Sequence, residues 1–165
     1  MLTCHEILGF MPQGVARETL DHAFTSDKEN YRLSLKAVAE ARKVRPVFLQ
    51  RKPRSERHRE MLATLCRPQL EAVASQLLCG WLLKAHAAML ADFLDSLGIA
   101  HEKGVLSQCP PTMEDAKLGA AVDTLLAKYP QQKVAVYLHV FYATSDARWP
   151  NLEALLRTDP RLQLS

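Results

Sequence analysis

Apolar residues recur at steps of three and four along most of this chain, the spacing that gathers one face of an α-helix. From Gln69 to Leu97 the stripe runs through Leu70, Val73, Leu77, Trp81, Ala85, Met89, Phe93 and Leu97. It predicts a long central helix region, in which Gly80 marks either close helix packing or a break into two helices. A second stripe over Asn30–Lys43 passes through Tyr31, Leu33, Leu35 and Val38. A third over Glu114–Tyr129 passes through Leu118, Ala121, Val122, Leu125 and Leu126. The segment from Lys133 to Tyr142 fits two periods. Val134, Val136, Leu138 and Val140 alternate like a strand, whereas Val134, Tyr137, Leu138 and Phe141 share a helical face. Helix is the better reading, because Pro130 offers a start and no partner strand is evident.

Helix starts and stops punctuate these stripes. Thr3 with Glu6 and Ser26 with Glu29 fit capping boxes, in which hydroxyl and carboxylate satisfy free amide donors reciprocally. Thr112 with Asp115 is a weaker version. Pro12, Pro68, Pro130 and Pro150 sit where the missing N–H of a first turn costs nothing. Gly9 is placed to end a short first helix, and Gly98 between Leu97 and Ile99 fits a left-handed C-terminal cap. Trp149 before Pro150 reads as a staple at the entry to the last helix. His101–Pro111, with Gly104 and a Pro pair, reads as an extended loop, and Thr158–Ser165 as a loosely held tail. The expectation is an all-α fold, a multi-helix bundle of about six or seven helices. It forms one helical domain over residues 1–165, with a loop division near 101–111.

Composition sharpens this picture. Only 7% of the 165 residues are aromatic and six are glycine, which disfavours a sheet protein. With 48% hydrophobic and 24% charged residues, disorder over most of the chain is excluded. The strongest uncharged run, residues 72–83, is too short for the roughly 20 apolar residues of a membrane span. The N-terminus has no basic region followed by an apolar run, so no secretory signal is read there and the expected location is cytoplasmic. Cys4, Cys66, Cys79 and Cys109 contain no CxxC pair, as expected of free thiols in a reducing compartment.

No phosphate-binding loop, dinucleotide fingerprint, HExxH, nucleophile elbow or EF-hand is present. Of His5, His22, His58, His86, His101 and His139, no two lie three or four apart. Glu18 with His22 is the nearest approach to a helical metal pair and reads as a surface contact, so no metal and no cofactor is expected. Cys79 and His86 stand about 10 Å apart along a helix axis, too far to act as nucleophile and base. Asp92 and Asp95 read as a solvated face, and Trp81 as core. No catalytic residue is assigned, and the chain is expected not to be an enzyme.

One skew in charge remains. Arg42, Lys43, Arg45, Arg51, Lys52, Arg54, Arg57 and Arg59 are eight cations among 18 residues, with Glu56 the one acid. The segment therefore carries +7 in a chain whose net charge is +3. Clustered arginine suits bidentate contact with phosphate, and Phe48 within the run offers a ring for stacking. The alternative is a solvated junction paired with acids such as Glu60, Glu71 or Asp92. Three roles follow, in order. The first is a non-catalytic module binding another protein or a second copy of itself. The second is nucleic-acid or anion binding through residues 42–59. The third is a ligand carrier or enzyme with a distributed site drawing on His86, His139, Tyr137 or Tyr142. No membrane partner is expected.

Overall fold

The computed structural model describes residues 1–164. Among the described residues ten α-helices carry the fold, more than the six or seven expected, because short helices separate the longer ones. Among the described residues, two two-residue strands are the whole of the β-structure. Contacts divide the chain into two compact units, residues 2–81 and 82–164. The loop 101–111 lies inside the second of them.

The first unit holds α1 (Cys4–Phe10), α2 (Gln13–Ser26), α3 (Lys28–Ala41), α4 (Pro46–Gln50), α5 (Arg54–Leu65) and α6 (Glu71–Gly80). A 3₁₀ turn, Pro68–Leu70, leads into α6. Thr3 caps α1 as expected, its N–H donating to Glu6 Oε2 at 2.8 Å. Glu71 adds a distant cap, accepting from the N–H groups of Cys4 at 3.0 Å and His5 at 2.8 Å. The expected Ser26–Glu29 box is displaced: Ser26 ends α2, and Asp27 is the N-cap of α3. Helix α3 packs on α2, α5 and α6. Between them Leu20, Val38, Met61, Leu65, Leu77 and Leu78 are buried. Gly80 serves close packing, since a Cβ there would stand 2.8 Å from Asn30 Nδ2 and 2.9 Å from Asp27 Oδ2.

The predicted central helix region is helical in three pieces. A π-helical turn, Trp81–Ala85, follows α6, and the backbone of His86 (φ −124°, ψ 39°) ends the run before α7 (Ala87–Ser96). No single helix among the described residues is long and apolar enough to cross a membrane.

The second unit continues with the hairpin β1 (His101–Glu102) and β2 (Val105–Leu106), then α8 (Asp115–Lys128), α9 (Gln131–Thr144) and α10 (Pro150–Thr158). Helix α7 ends at Gly98 with φ +70°, where Gly98 N–H reaches Asp95 O and Ile99 N–H reaches Leu94 O, both at 3.0 Å. The expected loop after it is a hairpin, turned by Lys103 and Gly104 with both φ angles positive, the geometry of a tight two-residue turn. Thr112 caps nothing, because α8 starts at Asp115 with Glu114 as N-cap. The ambiguous Lys133–Tyr142 segment is helical, and Val134 to Tyr142 are all buried. Trp149 is the N-cap of α10, and its indole N–H donates to Pro110 O at 2.8 Å. The tail is packed rather than loose. Pro160–Leu162 form a 3₁₀ turn on α9, and His139 Nε2 lies 3.0 Å from Leu162 O.

Candidate functional site

The basic segment folds as a corner of three pieces: the end of α3, the short α4, and the start of α5. Helix α3 stops through backbone hydrogen bonds from Lys43 N–H to Glu40 O, 3.1 Å, and from Val44 N–H to Ala39 O, 3.0 Å. Lys43 takes φ +55° to close this cap, a conformation that costs a side-chain-bearing residue about 1–2 kcal/mol. Pro46 then begins α4, with Arg45 as its N-cap. Leu49 is the one buried residue of α4, which packs on α3. Anchoring a five-residue helix through one side chain turns its other apolar residues outward. Val44, Val47 and Phe48 are 40%, 39% and 54% exposed.

The eight cations divide sharply. Arg42 approaches Glu60 at 3.7 Å. Lys52 also pairs with Glu60, and lies 3.9 Å from Glu56. The Lys52 ammonium beside it holds the Glu60 carboxyl below the usual carboxylate range. Arg54 lies over the Phe24 ring at 5.1 Å. Arg57 is only 9% exposed. Its Nε donates to the Tyr31 hydroxyl at 2.8 Å and its Nη1 to Gln50 O at 3.1 Å, which ties α5 to the end of α4. By contrast, Lys43, Arg45, Arg51 and Arg59 are exposed and pair with no acid among the described residues. The paired-junction reading therefore holds for Arg42 and Lys52 through Glu60. Glu71 instead caps α1, and Asp92 pairs with Lys128 at 2.7 Å.

Behind Arg57 runs a directional relay. His58 Nδ1 lies 3.1 Å from Asp21 Oδ1, and its Nε2 lies 2.9 Å from the Tyr31 hydroxyl. A carboxylate only accepts, so Nδ1 carries the proton and Nε2 accepts from Tyr31. Burial pushes the His58 imidazolium toward deprotonation, against the opposing pull of Asp21. Burial likewise pushes the Tyr31 hydroxyl up. Tyr31 is therefore a neutral hydrogen-bonding link. The sequence places Tyr31 in an apolar stripe and offers His58 only as a metal-ligand candidate; it does not join them to Asp21, because the three come from three different helices.

The other candidate residues take structural partners. Tyr137 donates to Leu82 O at 3.3 Å, with the His86 ring 6.3 Å away, edge to face. Tyr142 donates to Glu153 Oε2 at 3.0 Å. His139 binds the C-terminal turn, and burial holds it toward the neutral form. Asp92 accepts from Lys128 and Tyr129, and Asp95 meets His101 at 2.8 Å, as a polar surface does. Among the described residues, no three His, Cys, Asp or Glu side chains gather as a metal site would need.

The corner thus presents the exposed apolar side chains of Val44, Val47 and Phe48 interleaved with exposed cations that join no ion pair among the described residues. No protein-family model, curated protein or solved structure matches this chain.

Proposed function

We propose that the corner from Lys43 to Arg51 docks a partner protein whose surface sets carboxylates around an apolar patch. The observation that carries this reading is the exposure of Val44, Val47 and Phe48 between the unpaired Lys43, Arg45 and Arg51. Phe48 of α4 is three residues from Arg51, its C-cap, so ring and guanidinium fall on neighbouring positions of one helical face, while Val44 precedes the helix in the loop from α3. Aromatic and arginine side chains are the ones that interfaces favour at their centres. Burying a Phe side chain is worth about 2–3 kcal/mol, whereas each exposed ion pair at the rim adds at most about 1 kcal/mol. The apolar residues would supply affinity, and the cations orientation and rate of encounter.

Single-stranded nucleic acid is the second reading, favoured by the same unpaired cations. It is the weaker one because nucleic-acid platforms stack bases on rings, and two of the three exposed apolar residues here are valines. Half of the eight cations are also engaged by carboxylates, the Phe24 ring or the Tyr31–Gln50 network.

Site-specific photo-crosslinking in the native cell tests the proposal. A benzophenone side chain replaces Phe48, and a control places it at exposed Thr25. Nuclease-resistant protein adducts formed at position 48 alone are expected, mapping to a partner surface rich in Asp, Glu and apolar residues. Adducts that vanish on nuclease treatment, or equal yields at both positions, would refute it.

A further inference from the structure

A second feature of the first unit lies away from the Phe48 face. A cleft of about 270 Å³ opens where the end of α1, the start of α2 and the later turns of α5 meet. Leu8, Met11 and Ala16 are buried along it, and Leu62 lines it from α5. Arg17 and Arg59 also line it. Both are exposed and join no ion pair among the described residues, although the Arg59 charge is near enough to help hold the Glu60 carboxyl low. Arg32, Arg157 and Arg161 each pair with a carboxylate within 3.0 Å, whereas Arg17 and Arg59, like Arg45 and Arg51, join no such pair. No carboxylate lines the cleft.

We propose that this cleft binds a small amphipathic carboxylate, with an unbranched medium-chain fatty acid as the simplest member of the class. The apolar chain lies against Leu8, Met11, Ala16 and Leu62, and the carboxylate meets Arg17 and Arg59. An apolar hollow alone would accept any oily molecule. Two unpaired guanidinium groups at its edge select a carboxylate, because their forked donors match both carboxylate oxygens. The volume falls just below the roughly 300–1,000 Å³ typical of ligand pockets, which restricts the ligand to a chain of no more than medium length. A cation of the same length would meet two like charges, and an alcohol would forgo the charge-assisted bonds. This site is independent of the Phe48 face: Arg59 belongs to the basic segment by sequence, yet it works with Arg17 of α2.

Titration of octanoate into the ¹⁵N-labelled full chain, followed by amide chemical shifts, tests the assignment. Octanol and octyltrimethylammonium serve as matched ligands. Saturable shifts confined to amides around Leu8, Ala16 and Ala63 are expected, with octanoate bound at least tenfold more tightly than octanol. The Arg17→Ala/Arg59→Ala variant should abolish that preference while leaving the fold intact, because both side chains are exposed and unpaired. Ala63→Phe, at an exposed cleft position, should block both ligands with an unchanged far-ultraviolet circular dichroism spectrum. The proposal is overturned by the absence of saturable shifts at millimolar octanoate. Equal binding of octanol, or octanoate binding that survives the double arginine variant, overturns it equally.

Discussion

Two short apolar stretches of this chain meet opposite fates. In α9, nine consecutive residues from Val134 to Tyr142 are buried, and the Tyr137 hydroxyl, His139 Nε2 and the Tyr142 hydroxyl are tied to Leu82, Leu162 and Glu153. At the α4 corner, Val44, Val47 and Phe48 face solvent, and Leu49 alone reaches the core. The fold uses all of the apolar surface of α9 and little of that of α4. Packing therefore accounts for the composition of α9. For the corner it accounts for Leu49 and Arg57, and it gives Phe48 and its flanking cations no packing role, which is the gap the proposed partner would fill.

The comparison breaks most sharply at the α9 end. Val136→Asp places a carboxylate where no group can solvate it, and should cost about 4 kcal/mol or more, leaving the chain largely unfolded in urea titrations followed by circular dichroism. A folded Val136→Asp variant would show that α9 is less enclosed than described. Next in size is Arg57→Ala. It strips a partner from the Tyr31 hydroxyl and from Gln50 O, and should lower stability by about 1–3 kcal/mol in the same titration. Arg51→Ala, one helical junction away, should change stability by less than about 0.5 kcal/mol.

The buried histidines give each region a pH signature. Burial lowers the proton affinity of both His58 and His139 in the folded chain. Between the ordinary histidine value of 6.5 and their depressed values, the unfolded chain binds more protons than the folded one. Their stabilising contribution is therefore complete above pH 6.5 and is lost as pH falls through that window. The urea midpoint should fall from pH 7.5 to pH 5.5, and His58→Gln should flatten part of the slope. The carboxylates Glu60 and Glu71, held low by their partners, lose their contribution only below about pH 4.5, outside this window. The smallest stability effect belongs to Phe48→Ser, within about 0.5 kcal/mol of the parent chain, because the ring is exposed.

Periodicity made most of the fold legible. Stripes with one polar face, such as Leu118 to Leu126, placed α8, and the Thr3, Gly98 and Pro150 signals placed helix ends to within a residue or two. Where a helix is buried on every side the stripe disappears. That is why Val134–Tyr142 fitted a strand and a helix equally well until Pro130 was weighed. The hairpin at residues 101–106 was hidden because two-residue strands carry no alternation to read. At the corner, charge density was visible but its division was not. Lys52 and Arg42 reach Glu60, and Arg57 reaches Tyr31, only through contacts between helices. The exposure of Val44 and Val47 was equally hidden, since an apolar run between cations reads the same whether it points in or out.

The central claim, that the α4 corner recognises a protein through apolar contact guided by charge, is tested most directly by fluorescence anisotropy. The parent chain, Phe48→Ser and Arg45→Ala/Arg51→Ala would be titrated against a labelled amphipathic peptide of Leu, Phe and Glu and against single-stranded RNA, at low and near-physiological salt. The account predicts saturable peptide binding that weakens modestly with salt, is lost in Phe48→Ser, and is slowed in association in the arginine variant. Four phosphate contacts on a single strand would instead lose affinity roughly 600-fold per tenfold rise in salt. RNA binding with that steep dependence, unaffected by Phe48→Ser and accompanied by no peptide binding, would contradict the account.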